Sequence, residues 1–567
     1  MISWQQVIDA ENGKGTLPDN AVLLSFDDGY ETMYNVVFPL LKAYNYPAVF
    51  APVTSWLDTP VDQKIAYDDK MLDRSDFATW SQVKEMEQSG LVEVASHTHN
   101  LHNGINANPS GGQLPSVIAP EYKNGKYETE DAYKNRLKSD FTRSVQTLVN
   151  HIGKKPRVMV WPYGQFNDVA VQLARQAGMP HYFSLGEKII NKVGDKHIGR
   201  LLLNAETDLN TVKNYLDGID ESKQIQRVLH VDLDYVYDAD KAQQAKNLDK
   251  LIDRIYRYGV TTVYLQAFSD PDGDGVADAL YFPNKYLPVR DDIFGRIAWQ
   301  LQTHAGVQVY AWMPVLAFDL RKSVKEAEYV IDSRTGKPST KAYLRLSPYN
   351  KQNVEIIKSI YNDLSFYAKF NGILFHDDAF LTDFEGAEGN HAEGMVSPQA
   401  KQKTQDLILL THQLTDALKP YFLRGSYSLK TARNLYASVI TNPNAEEWLA
   451  QNLKTLTDNY DTTAIMAMPY MENEQPISQE EAYQWFASLI ENVKSQAPLD
   501  KVLFEFQAVN WRTQKPIPES ELIDWMKLLQ KNHIYSYGYY PDNFLTNQPD
   551  LNKMKPYFSV NTNVGKP

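Results

Sequence analysis

Between Val228 and Tyr540 short apolar runs recur eight times, at Val228 to Leu233, Thr262 to Phe268, Val307 to Val315, Gly372 to Phe375, Phe422 to Ser426, Ala464 to Met468, Val502 to Gln507 and Tyr535 to Tyr540. Most are separated by enough chain for a helix and its return turns, and eight is the number of parallel strands that closes a (β/α) barrel. This rhythm predicts an α/β fold with a C-terminal (β/α)8 TIM barrel over residues 226–567. Upstream, six further runs alternate with helical patterns: Val22 to Phe26, Pro47 to Val53, Val92 to Ser96, Val158 to Trp161, Tyr182 to Leu185 and Gly199 to Leu203. Alternation of this kind calls for parallel strands with crossover helices, as an open sheet or a barrel. The polar stretch Asp217 to Lys223 separates the two patterns, giving domains at 1–217 and 226–567. Two domains suit a chain of 567 residues.

Smaller features complete the outline. Asn103 to Asp131, rich in Gly, Pro and Asn, reads as a long surface loop, and Gln548-Pro549 as the end of the last structured segment before a terminal tail. Met1 to Ile8 reads as the inside of an amphipathic helix, without the basic and apolar regions of a signal peptide, which suggests that something once preceded it. No apolar run is long enough to span a membrane. The absence of cysteine excludes disulfides, thiolate metal sites and a cysteine nucleophile. A formal charge of -13 argues against nucleic acid and favours a neutral or cationic ligand. The 35 Tyr and 10 Trp fit a sugar-binding cleft, where rings cover the C–H faces of pyranoses, though they fit large cores as well.

Two clusters carry chemistry in the first domain. Ser25-Phe26-Asp27-Asp28-Gly29-Tyr30 ends an apolar run with adjacent carboxylates; neighbouring strand residues point to opposite faces, so both serve one pocket only if the strand bends there, which Gly29 permits. The alternative is a helix cap before Tyr30 to Leu41. Ser96-His97-Thr98-His99-Asn100-Leu101-His102 follows a second run, and two imidazoles with one carboxylate suit a divalent transition metal with positions left for water and substrate. The five-residue spacing of His97 and His102 fits a strand end and the turn after it, with His99 as the spare.

With Val158 to Gly164 added, order and spacing resemble carbohydrate esterase family 4, the metal-dependent polysaccharide deacetylases, whose first domain is a distorted (β/α) barrel. The resemblance implies Asp27 as general base, Asp28, His97 and His102 as ligands of a divalent metal (Zn, Ni, Co or Fe), and Trp161 and Tyr163 as an oxyanion and substrate wall. From about Trp4 to Phe558 the chain further resembles the two-domain periplasmic deacetylases that process poly-β-1,6-N-acetyl-D-glucosamine during biofilm exopolysaccharide export. That likeness implies this polymer as partner, together with an outer-membrane export porin, and a periplasmic location at the outer membrane through an N-terminal segment. In this branch the acid for the leaving amine is a histidine upstream of the Asp-Asp strand, and none precedes Asp27 here, while His151, His181 and His197 stand in other contexts. The expectation for these 567 residues is metal binding with weak or absent deacetylation, the missing histidine lying in a lost segment.

In a TIM barrel the polar residues that close each strand face the site. Here they include Asp232, Asp234, Asp270, Trp312, His376, Asp377, Asp378, Arg433, Tyr470, Glu472, Glu505, Gln507, Tyr539 and Asp542. Asp232, Asp234, Tyr235, Trp312, Tyr343, Glu472, Trp511 and Tyr539 are the candidate glycan-binding set. The resemblance implies hydrolysis of the β-1,6-glucosamine polymer. Asp377 is the expected acid with Asp378 and Asp234 in support; attack by the polymer's own N-acetyl oxygen needs only one acid and an orienting carboxylate. The opposing reading is a catalytically weak barrel that guides polymer to export. Asp270-Pro271-Asp272-Gly273-Asp274-Gly275 starts like a calcium loop, but its twelfth position is Tyr281, so a shaped loop over the mouth is expected, with Glu385 to Ala400 as a flap.

Overall fold

The computed structural model describes the whole chain except residues 187–189, 205–206, 217–224, 340, 386–395, 425–427, 474 and 562–567. It divides into two compact units: Met1–Asp220 with Pro420–Ser428, and Glu221–Lys419 with Leu429–Pro567. The expected linker and most of the expected flap lie outside the described residues. Among the described residues no helix is long and apolar enough to cross a membrane.

The first unit is built on six parallel strands, β1 (Leu24–Asp28), β2 (Ala48–Pro52), β3 (Val92–Val94), β4 (Val158–Val160), β5 (His181–Leu185) and β6 (His197–Arg200). They form two sheets, β1-β2-β3 and β4-β5-β6, joined by a bridge between Ser96 and Met159. Strand side chains alternate between faces, and the alternation sorts two cores. Val49, Ala51, Ala95, Val158, Val160, Phe183 and Ile198 enclose one with Trp4, while Phe50, Val92 and Val94 pack outward against Phe38, Val83, Met86 and Leu148. Trp4 is 1% exposed and opens helix α1 (Trp4–Glu11). Ser3 and Gln6 form a capping box at its start, so the helix begins at a proper cap and is not the inside of a longer one.

No strand pairing joins β6 to β1 among the described residues. The Arg200 guanidinium spans the interval instead, donating to Ser25 Oγ at 2.9 Å and to both oxygens of Asp27 at 2.8 Å. The unit is thus an incomplete barrel. Asn103–Asp131 is more ordered than a loop: it holds two hairpins, Gly104–Asn106 with Gln113–Pro115 and Tyr122–Lys123 with Lys126–Tyr127, and runs into α2 (Glu130–Ile152).

The second unit closes eight parallel strands in chain order: β7 (Arg227–Val231), β8 (Thr262–Gln266), β9 (Gln308–Met313), β10 (Gly372–Phe375), β11 (Lys430–Tyr436), β12 (Thr462–Met466), β13 (Val502–Gln507) and β14 (Tyr537–Tyr540). One expected strand is misplaced. Phe422 to Ser426 belongs with the first unit, where Arg424 and Phe166 exchange backbone hydrogen bonds, and the fifth barrel strand is Lys430–Tyr436. Its polar sequence hid it. Arg433 and Asn434 point into buried pairs, with the Tyr460 hydroxyl and the Glu505 carboxylate, so a polar run still fills an interior. Residues 550–558 are not a tail: Asp550 caps α3 (Leu551–Phe558), which buries Leu551, Met554 and Phe558.

Candidate active sites

β1 ends in a bend. Asp28 has φ 73° and Gly29 φ 101°, and a Cβ on Gly29 would stand 2.9 Å from Leu57 Cδ1 and 3.1 Å from Pro52 Cβ, so only glycine fits. The bend brings Asp28 Oδ1 within 3.3 Å of both His97 Nε2 and His102 Nε2, and the three ligand atoms lie within 4.8 Å of one another. The Tyr67 hydroxyl donates to Asp28 Oδ2 at 2.8 Å. Burial pushes the Asp28 carboxyl up, but the hydrogen bond and charge of His97, with His102 and Tyr67, hold it below its usual value.

The donor set fits a metal. His97 Nδ1 lies 2.8 Å from the Val160 carbonyl; a proton placed there leaves the Nε2 lone pair toward the cluster. His102 is walled by Trp56, Tyr67 and Tyr163, whose ring centroid is 4.4 Å away. His99 is the spare: its Nδ1 meets Thr54 Oγ1 at 2.9 Å. The backbone N–H groups of His99 and Asn100 donate to the two oxygens of Asp140 on α2, at 2.8 and 2.7 Å, which ties the histidine loop to that helix. Burial raises the Asp140 carboxyl to about 6.

Asp27 stands beside this cluster in its pair with Arg200. The expected wall divides: Tyr163, at φ 56°, lies over His102 and donates to Asp68 at 2.6 Å, whereas Trp161 is fully buried and stacks on Phe166, behind the site and not lining it. His151 stacks on Trp80, His181 faces Glu11 and His197 faces Ser184, so none of these contacts supplies an imidazole to the cluster. Tyr67 and Asp140 lie in no recognisable motif. Arg200 lies inside the sixth apolar run and closes β6, and only the fold brings it to Asp27.

At the barrel mouth, Asp377 accepts from the Tyr343 hydroxyl at 3.0 and 2.9 Å and the Tyr436 hydroxyl at 2.9 Å, with His376 Nε2 at 2.9 Å. Burial raises it, but the charge and hydrogen bond of His376 and the two hydroxyls win, and Asp377 is held ionised. That reverses the expected assignment, since a general acid must arrive with its proton. Asp378 is fully buried with its oxygens taken by the N–H groups of Val315, Leu316 and Ala317, at 2.5–3.0 Å, so it fixes a loop and is not a reacting group. Asp234 is likewise committed, to Ser269, Tyr281, Arg290 and the Asp270 N–H.

Trp312 forms a floor between Tyr540, at 5.4 Å, and His376, at 5.2 Å, with Trp511 beyond Tyr540 at 6.2 Å. Tyr235 and Asp232 border the same place, the Tyr235 N–H donating to the Asp232 carbonyl. Glu472 accepts from the Ala437 N–H at 2.8 Å, and burial raises it to about 7. Tyr539 departs from expectation: it is fully buried and donates to Asp542, itself paired with Arg254, so it belongs to the barrel wall. Asp270, Asp272 and Asp274 do converge, yet Asp270 already accepts from the N–H groups of Gly273, Asp274 and Gly275. The turn ends at Gly275, φ 79°, where any Cβ would collide with the Tyr343 ring, so the loop is a backing for the residue that holds Asp377.

Residues 14–182 match the family described as Polysaccharide deacetylase, and residues 230–540 the family described as Hypothetical glycosyl hydrolase family 13. The molecule is therefore a polysaccharide deacetylase carrying a glycoside-hydrolase-like barrel. Over 585 residues it is 40% identical to the poly-β-1,6-N-acetyl-D-glucosamine N-deacetylase of Escherichia coli (strain K12), across 99% of this chain and 86% of that one. It belongs to the poly-β-1,6-N-acetyl-D-glucosamine N-deacetylase family. Among solved structures, the PgaB (BpsB) glycoside hydrolase domain from Bordetella bronchiseptica is 38% identical, covers 60% of this chain and all of its own, and superposes with a TM-score of 0.54. A de-N-acetylase from Aggregatibacter actinomycetemcomitans is 67% identical over 38% of this chain and 82% of its own, with a TM-score of 0.37.

Proposed function

We propose that the first unit removes acetyl groups from poly-β-1,6-N-acetyl-D-glucosamine in a metal-dependent reaction, and that the barrel binds and hydrolyses the partly deacetylated polymer. The observation that carries the first part is the convergence of Asp28, His97 and His102 beside an arginine-held Asp27. A divalent transition metal, Zn, Ni, Co or Fe, held by those three side chains supplies acidification of a water and polarisation of the acetamide carbonyl. Asp27 takes one proton of the attacking water as its oxygen joins the carbonyl carbon; the C–N bond then breaks with its electron pair going to the nitrogen, which takes that proton from Asp27, and the acetic acid formed loses its own proton to solvent and leaves as acetate beside the free amine. Tyr163 over His102 and the Tyr67 hydroxyl on Asp28 shape the wall against which the sugar rests. The polymer is the one in the name of the Escherichia coli relative; a periplasmic location at the outer membrane and an export porin as partner are part of the same proposal, carried over from the resemblance. Fractionation of cells and co-purification with an outer-membrane porin test the last two.

The opposing reading is a polymer-binding export scaffold with little turnover. Mass spectrometry of a defined β-1,6-N-acetylglucosamine oligomer after incubation reads loss of acetyl and loss of length separately. Acetyl loss that is abolished by chelation supports the first reading. Acetyl loss that disappears in Asp27→Asn supports Asp27 as the base, and a fully inert oligomer leaves the scaffold.

A further inference from the structure

The barrel mouth holds more carboxylates than one cleavage step uses, and their hydrogen bonds separate them. Asp377 has four acceptor contacts, Asp378 is consumed by backbone donors, and Asp234 and Asp270 fasten the loop that backs Tyr343. Glu505 is paired with His230 and Asn434, and Glu472 accepts the Ala437 N–H. Asp232 is different. It closes β7, is 8% exposed, has no hydrogen-bond partner at Oδ1, and touches at Oδ2 only the Tyr540 hydroxyl, at a long 3.4 Å. A buried carboxylate with an unmet oxygen is strongly disfavoured as an anion, while a carboxylic acid there is tolerated and has a proton to give.

Its placement matches that role. Tyr540 packs edge-on against Trp312, Trp312 lies against His376, and His376 pairs with Asp377, so Asp232 and Asp377 stand at opposite ends of one row of rings at the barrel mouth. We propose that Asp232 is the proton donor to the glycosidic oxygen, working across this row of rings from the Asp377 carboxylate. This rests on the hydrolase reading of the barrel. In the step, the Asp232 proton passes to the glycosidic oxygen as the C1–O bond breaks and its electron pair stays on that oxygen. The positive charge developing at C1 is met by Asp377. A water oxygen then bonds to C1, and the water's proton returns to Asp232, which leaves two shorter chains and the enzyme unchanged.

The charges around Asp232 agree. Burial, then the neighbouring Asp234 and the more distant Asp270, raise it to about 7, against the Tyr540 hydrogen bond and the His376 charge; the Tyr235 hydroxyl also faces it. It therefore carries its proton up to neutral pH, where a general acid works best.

Two substrates separate proton donation from every other role, using the full chain: a partly deacetylated β-1,6-glucosamine oligomer, and the same oligomer bearing a dinitrophenyl leaving group that departs without protonation. Asp232→Asn should lose about a hundredfold or more of cleavage of the natural linkage, with the alkaline limb of the pH profile gone, yet release dinitrophenolate at close to the wild-type rate. That retained activity also shows the variant to be folded. Asp377→Asn should lose both reactions. Natural-linkage cleavage by Asp232→Asn at the wild-type rate overturns the assignment and leaves the hydrolase reading standing, as does equal loss on both substrates. If the wild-type chain shortens neither oligomer, the hydrolase reading itself falls and the assignment with it.

Discussion

Asp140 shows how a side chain with no part in the reaction can set it up. Its two oxygens hold the backbone of His99 and Asn100, between the two candidate metal ligands of the loop. Asp140→Ala should weaken metal binding by roughly ten- to a hundredfold, the usual effect of removing a support behind the ligands, with the melting curve of the metal-free protein little changed; competition with a chelator measures it. Asp232 gives a pH prediction of the opposite kind from most carboxylates. Its folded value is raised from 3.8 to about 7, so the folded state holds the proton more tightly than the unfolded chain. The stability it contributes is therefore full below about pH 4 and is lost as pH rises through about 7, by something on the order of 4 kcal/mol. Denaturant midpoints of the barrel should fall over that window in the wild type, and Asp232→Asn should flatten the fall.

At the scale of elements, α1 is an unusual plug: one helix end places Trp4 into the interior formed by β2, β4, β5 and β6 with Ala95. Trp4→Ala should destabilise that unit by about 3–5 kcal/mol, read as a drop in its thermal transition, with the barrel transition unmoved. Most strands were legible because apolar runs with turn residues between them have few other ways to fold. The fifth barrel strand was not, since Arg433 and Asn434 make it polar and only their distant partners Tyr460 and Glu505 make that polarity tolerable. The same limit governed the sites. Asp28, His97 and His102 lie in short motifs and could be read directly, whereas Tyr67, Asp140 and Arg200 act through folding alone. Asp377 was found by its position at a strand end, but its charge state depends on Tyr343 and Tyr436, which arrive from separate segments.

For the whole molecule, two kinds of site on one chain predict two separable activities. Asp28→Asn should abolish acetyl loss and leave shortening of an already deacetylated oligomer intact, and Asp377→Asn should do the reverse; mass spectrometry of the two products checks both. Coupled loss of the two activities in either variant would contradict this independence. One contact makes such dissection less simple for the first unit. Arg200, from the last strand, grips Asp27, on the first, where no backbone ladder joins them among the described residues. The group asked to take a proton is also a rivet in the frame. Activity lost in Asp27→Asn therefore mixes chemistry with architecture, and Arg200→Gln is the control that separates them. Inheritance faces the same bind: a change at either position alone loses twice, so descendants of this chain should keep the pair or exchange both members together.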